Sequence, residues 1–318
     1  MNDLRFIARP DGSRLALVRQ APAALPRQAV LVIHGATFPT SLSAAYRIDG
    51  RSWFDELCAA GFETWGLDFQ GFGASDPFSE VSDGAVPGRA RDAALQIRMA
   101  VDFIRENSDC ASLALVAHSW GTVPAGILLS QPASCVDRAV FYGPVVPAES
   151  RQALPASYPP FLEVTREMQW AAFSAGVPAG LEPPVGRAEF DRWAESYVPR
   201  VPAGPAFDIE CARLGDVAYD PGKIGMPVLV VRGTWDAVTS AADAARLFDA
   251  LPSNGNRLVT IEGGTHRMHL ERARMAFFRA VEEFLSASGE PPRLAPSPVD
   301  AARTRRSTRP RGPQENGS

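Results

Sequence analysis

Residues 113–121 read Leu-Ala-Leu-Val-Ala-His-Ser-Trp-Gly. The first five form a continuous apolar run of the kind buried on both faces of a parallel sheet. The last five, Ala117 to Gly121, match small-x-Ser-x-Gly with alanine in place of the first glycine. Such a pattern turns a strand into a helix so sharply that large side chains two residues either side of the serine would strike neighbouring backbone. Small residues are therefore needed there, and the turn lifts the Ser119 hydroxyl above the sheet. The pentapeptide alone is common. Its place after an apolar strand and before the helical stretch 123–129, where Pro124 is tolerated in the first turn, gives it weight.

Outward from this turn the chain alternates between strands and helices. Residues 4–8 and 15–18 are short apolar runs joined through Pro10-Asp11-Gly12, a hairpin signal. Residues 29–33 form a second buried strand that ends in His34-Gly35. Ser52 and Asp55 have capping-box spacing, Trp53, Phe54 and Leu57 give the apolar stripe of the helix they open, and Gly61 stops it. Residues 62–67 are again a strand, and Ala93, Ile97, Val101 and Ile104 mark a long crossover helix. Beyond the turn, 136–141, 228–231 and 258–261 read as strands and 241–251 as a helix, while Phe277, Val281 and Phe284 lie on a closing helix. This order predicts an α/β chain with a mainly parallel, doubly wound sheet.

About 80 residues between 145 and 222 stand outside that alternation. They hold 11 of the 28 prolines, which predicts short helices and irregular connections, with no further sheet layer. The expected division is a first core part at 1–144, an inserted lid at 145–222, a second core part at 223–286 and a tail at 287–318. The tail carries no aromatic residue and is rich in Pro, Ser, Gly and Arg, so it is expected to be disordered.

Composition excludes several classes of function. The 318 residues are 46% hydrophobic and 21% charged, the balance of a globular chain. A formal net charge of -4 gives no general attraction to nucleic acid or to an anionic membrane surface, and neither is expected as a partner. Four cysteines, Cys58, Cys110, Cys135 and Cys211, lie far apart without a C-x-x-C pair, so free thiols in a reducing compartment are expected. Asp3, Arg5, Arg9 and Asp11 stand where a signal peptide would need apolar residues, and no run of 18 apolar residues occurs. The expected location is cytoplasmic.

Several segments together give the chain a resemblance to the α/β-hydrolase superfamily over about residues 4–286. His34-Gly35-Ala36 is similar to that family's oxyanion loop, and Gly66 to Asp76 to its G-x-D-x-x-G-x-G-x-S-D segment. Gly233-Thr234-Trp235-Asp236 resembles the acid loop and Gly263-Gly264-Thr265-His266 the histidine loop, in the order Ser, Asp, His that this fold uses. The resemblance implies a mostly parallel eight-stranded sheet flanked by helices, with a helical cap inserted after the sixth strand.

The four histidines narrow the choice of base. His34 and His118 precede the acid and sit in tight turns, where hydrogen-bonding roles are expected; His266, in a glycine-containing loop after a strand, is preferred to His269, which reads as part of a helix beginning near residue 270. For the acid, Asp236 stands just past its strand, whereas Asp243 reads as a solvated helix residue. The implied chemistry is nucleophilic acyl transfer. His266 takes the Ser119 proton, Asp236 orients the imidazole, and the backbone N–H groups of Ala36 and Trp120 receive the charge on the former carbonyl oxygen. It calls for no metal, flavin or nucleotide. Asp68, Ser75 and Asp76 read as loop braces, Trp120 as a packed indole that lends its amide, and Trp235 as core or pocket wall.

The expected function is a serine hydrolase acting on a carboxylic ester or thioester of a small to medium, partly apolar substrate. A serine at 119 removes the superfamily's chemistries that use a carboxylate nucleophile. C–C bond hydrolysis, acyl transfer and thioesterase cyclisation remain open to the same residues, and a non-catalytic ligand-binding protein on this fold is the reading from another class.

Overall fold

The computed structural model describes residues 3–78 and 81–287. The strands and helices follow in order as β1 (Asp3–Ala8), β2 (Arg14–Gln20), β3 (Gln28–Ile33), α1 (Trp53–Ala59), β4 (Phe62–Asp68), α2 (Ala90–Asn107), β5 (Leu113–His118), α3 (Thr122–Leu129) and β6 (Arg138–Tyr142). Next come β7 (Phe161–Glu163), α4 (Arg166–Ser174), α5 (Arg187–Ala194), β8 (Arg200–Pro202) and α6 (Gly204–Arg213). The chain closes through β9 (Val228–Gly233), α7 (Ala241–Ala250), β10 (Arg257–Ile261) and α8 (Arg274–Ser286).

Among the described residues eight strands form one sheet in the order β1-β2-β4-β3-β5-β6-β9-β10. The first hairpin is antiparallel and β2 runs antiparallel to β4. The pairs from β4 through β3, β5, β6 and β9 to β10 are parallel. Because strand side chains alternate, a strand covered on both sides must be apolar at every position. β3 shows this directly. Ala29, Leu31 and Ile33 enter the core shared with Ala93, Ile97 and Val101 of α2, while Val30 and Val32 enter the opposite core with Trp53 and Phe54 of α1 and Phe277 and Val281 of α8. The α1 start is the expected capping box: Ser52 Oγ accepts the Asp55 amide at 3.1 Å, and the Asp55 carboxylate accepts the Ser52 amide at 2.9 Å.

The segment between β6 and β9 contains short helices and one pairing the sequence reading did not anticipate. β7 and β8 form an antiparallel two-stranded ribbon, Phe161 opposite Pro202, too short to be another layer. The segment has its own apolar cluster: Phe173, Phe190, Trp193 and Tyr197 pack with Phe38 and Leu42 from the loop after β3 and with Leu270. The Trp193 indole donates to the Leu42 carbonyl at 2.8 Å, and Arg272 donates to the Pro183 carbonyl at 2.7 Å. It therefore rests on loops at the carboxyl ends of the parallel strands.

One boundary is corrected. His269 lies in a 3-10 turn, Met268–Leu270, and α8 starts only at Arg274. Glu271 is extended (φ -129°) and turns its carboxylate back onto Thr265, which separates the two helical pieces. Among the described residues no helix is long and apolar enough to cross a membrane. Apart from residue 287, the expected disordered tail lies outside the described residues.

Candidate active site

Ser119 follows β5 directly and adopts φ +53°, the left-handed region that costs a non-glycine residue about 1–2 kcal/mol. A 3-10 turn, Ser119–Gly121, then leads into α3. The requirement for glycine at 121 comes from contact, since its φ is an ordinary -55°. A Cβ there would stand 2.5 Å from the His34 carbonyl oxygen and 3.0 Å from Ile33 Cγ2. Alanine at 117 is accommodated, fully buried. Thr122 braces the turn: its hydroxyl donates to the Ser119 carbonyl at 2.6 Å and accepts the Val145 amide at 3.1 Å.

The structure brings Ser119, Asp236 and His266 together from the ends of β5, β9 and β10. Ser119 Oγ lies 2.8 Å from His266 Nε2, and His266 Nδ1 lies 3.1 Å from each Asp236 carboxylate oxygen. All three are buried. An ionised carboxylate only accepts, so Nδ1 carries the imidazole proton and Nε2 is free to accept from the serine hydroxyl. Asp236 Oδ1 also accepts the amides of Val238 at 2.8 Å and Thr239 at 2.9 Å. Burial opposes charge on this carboxyl, but the attraction of His266 and these hydrogen bonds prevail and hold it below the usual aspartate value. Asp243 stands apart, receiving the Ser240 cap on α7 and pairing with Arg246.

Gly143 is a site residue that the sequence reading missed. It follows β6 with φ +52°, and a Cβ on it would lie 2.9 Å from His266 Nδ1 and Cε1 and 3.3 Å from Asp236 Oδ2. Its signal was a lone glycine ending an apolar strand, which by itself says nothing about what passes beside it.

The other histidines have hydrogen-bonding places. His34 Nδ1 donates to the Gly35 carbonyl at 2.7 Å and Nε2 accepts the Phe69 amide at 3.3 Å. His118 and His269 lie buried beside the histidine loop, and desolvation holds both below the usual imidazole value, His269 at about 3. The 66–76 loop is braced as expected. Asp68 accepts the amides of Thr40 at 2.9 Å and Ala74 at 3.0 Å, Ser75 Oγ links the Ala16 amide to the Asp68 carbonyl, and Asp76 accepts the Arg14 amide.

Trp120 follows the serine, and Gly35 comes close to it from the loop after β3. A Cβ added to Gly35 would be 3.1 Å from His118 Nδ1 and 3.4 Å from Ser119 Cβ. The Trp120 side chain does more than pack: its indole N–H donates to Asp208 Oδ2 at 3.0 Å. Asp208, on α6, also accepts the Ala90 amide at 2.7 Å and Arg89 Nε at 2.5 Å. Burial raises the Asp208 carboxyl above the usual value despite Arg89. Nothing in the sequence linked positions 120 and 208.

A cleft of about 600 Å³ opens between the 68–74 loop and the segment around β8. Its walls include Thr37, Leu42, Phe72, Val198 and Val201; Ser119, Asp236 and His266 do not line it. Trp235 is half-buried next to the acid, and a Cβ on Gly263 would lie 3.8 Å from its ring. Among the described residues no group of three or more His, Cys, Asp or Glu side chains is placed to hold a metal ion.

An eight-stranded sheet with a serine on a strained turn, and an aspartate and a histidine at later strand ends, defines a class. The chain belongs to the alpha/beta hydrolase family, whose family model matches residues 30–280. It is accordingly an enzyme of hydrolase type. No curated protein matches the sequence. Among solved structures it is similar to a serine hydrolase involved in carbazole degradation, the CarC enzyme, at 18% identity and TM-score 0.61, over 90% of this chain and 99% of that one. A thioesterase domain from the curacin biosynthetic pathway matches at 16% identity and TM-score 0.59, over 90% and 100%. The esterase EaEST from Exiguobacterium antarcticum matches at 18% identity and TM-score 0.60, over 89% and 99%. At these identities the likeness is one of fold.

Proposed function

We propose that the chain is a serine hydrolase that cleaves a carboxylic ester or thioester of a small to medium, partly apolar substrate through an acyl-enzyme on Ser119. One observation carries this reading: the unbroken line from Ser119 Oγ through His266 to Asp236, at 2.8 and 3.1 Å. In this reading His266 Nε2 takes the hydroxyl proton as Oγ attacks the acyl carbon, and the Asp236 carboxylate stabilises the imidazolium. The negative charge on the former carbonyl oxygen meets the amides of Ala36 and Trp120. His266 then returns the proton to the departing alcohol or thiol. Water, activated by the same imidazole, releases the acid and restores Ser119.

The segment 145–222 serves as a cap on a core made of 1–144 and 223–286. Small molecules are the substrates that a covered site of this kind admits. The names of the fold's neighbours, an esterase and a thioesterase domain among them, accord with this class of bond.

The test uses a fluorophosphonate probe and a series of p-nitrophenyl esters of rising chain length. Wild type is expected to be labelled at Ser119 and to hydrolyse the shorter esters, and Ser119→Ala to lose both. Hydrolysis that persists undiminished in Ser119→Ala, or wild type that is never labelled, overturns the proposal. Trapping the products with added thiol or alcohol acceptors separates hydrolysis from acyl transfer.

A further inference from the structure

His266 sits in a loop that enters through Gly263 and Gly264, so the direction of its ring depends on where its main chain is held. The carbonyl oxygen of His266 accepts two hydrogen bonds from buried side chains: His118 Nε2 at 2.9 Å and Tyr142 Oη at 2.8 Å. His118 is the last residue of β5 and Tyr142 the last of β6, and the two are register partners across the parallel pair. Their rings stack at 4.4 Å between centroids. We propose that His118 and Tyr142 are positioning residues for His266, fixing its carbonyl to the sheet so that its ring meets Ser119.

The bonding pattern has one consistent set of protons. A carbonyl oxygen only accepts, so His118 carries its proton on Nε2 and Tyr142 gives its own to His266. The Tyr142 oxygen then accepts from His269 Nδ1 at 3.1 Å, which leaves His269 Nε2 to accept from Ser43 Oγ at 3.1 Å. Every member is neutral in this arrangement. Burial favours that state, keeping the two imidazoles unprotonated and the phenol protonated. His118 directly precedes Ser119. The strand that delivers the serine therefore also holds the backbone of its partner.

This inference rests on His266 being the base of the proposed reaction. Tyr142→Phe removes one donor and leaves the ring, and His118→Leu removes the other. His118→Gln presents an amide N–H near the place of Nε2 and is the rescue variant. On the scale where a misplacement of about 1 Å costs about 100-fold, a loop loosened by about half of that lowers kcat about tenfold. Tyr142→Phe and His118→Leu are each expected to lower kcat for a p-nitrophenyl ester by about that factor with KM unchanged, and His118→Gln to recover most of it. The low-field proton resonance of His266 Nδ1–H gives a readout independent of turnover, expected to broaden in Tyr142→Phe and to vanish in Asp236→Asn. A kcat within twofold of wild type in both donor-deleting variants, His118→Gln no better than His118→Leu, or an unaltered resonance in Tyr142→Phe overturns the inference. Loss of activity in Ser119→Ala alongside unaffected donor variants leaves the proposed reaction standing and rejects only the positioning role.

Discussion

Gly143→Ala separates the space beneath the Asp236–His266 pair from the ordinary cost of a left-handed backbone. The native φ of +52° puts any L-residue at a disadvantage of about 1–2 kcal/mol. The new methyl would also begin 2.9 Å from His266 Nδ1 and Cε1, where van der Waals contact starts near 3.4 Å. The difference, about half an ångström, must be taken up by the imidazole, because Gly143 is pinned through its amide to the Val231 carbonyl at 2.8 Å. A displacement of that size corresponds to about a tenfold loss in kcat. Gly180→Ala is the control: φ is +84°, yet nothing lies within 4 Å of the added carbon. Urea denaturation is expected to show a similar loss of stability in both variants, and p-nitrophenyl ester kinetics a kcat loss in Gly143→Ala alone. If kcat of Gly143→Ala stays within twofold of wild type while both variants lose the same stability, the crowding argument is wrong.

Three further perturbations follow from the buried polar groups. Asp236→Asn offers Nδ1 of His266 a donor where it needs an acceptor and favours the wrong tautomer; kcat is expected to fall about 10⁴-fold with the fold intact by circular dichroism, and a loss under tenfold contradicts the assignment. Burial raises the Glu271 carboxyl to about 7, above its ordinary 4.5, so the folded state binds its proton more tightly than the unfolded state. Stability from this group is therefore full below about pH 4.5 and declines by up to about 3 kcal/mol as pH rises through 7; urea midpoints across pH 4.5–8 should decline less in Glu271→Gln than in wild type, and parallel curves would reject this. Asp208→Ala leaves the buried Trp120 indole and the Ala90 amide without their acceptor and is expected to cost about 2–4 kcal/mol in urea denaturation; a loss under about 1 kcal/mol would mean that Asp208 does not act as the shared acceptor.

Much of the frame was legible because its signals are local. The runs 29–33, 113–117 and 228–231 are apolar at every position since each strand is covered on both faces, and α1 announces itself through Ser52 and Asp55. The residues brought together at the site were marked by the turns and strand ends that carry them. What stayed hidden depends on partners distant along the chain. Asp208 meets Trp120 across 88 positions and Tyr142 meets the His266 carbonyl across 124, with no spacing rule joining either pair. β7 and β8 have three residues each, too few for alternation to show, and one of them contains Pro202. The late start of α8 follows from the Glu271–Thr265 contact, which no helix-start rule contains.

The attachment of Asp208 bears on how this enzyme could be re-engineered or could diverge. The stretch joining β6 to β9 looks like a cassette, entered and left at two points of the sheet, but α6 supplies the acceptor for groups at positions 89, 90 and 120. A foreign segment spliced at the same joints would strip those donors of their partner unless it brought a carboxylate to the same spot or was accompanied by replacements at Arg89 and Trp120. New specificities are therefore more accessible by remodelling α4, α5 and their connections while α6 is retained, and a chimera that keeps α6 should fold where a full exchange fails.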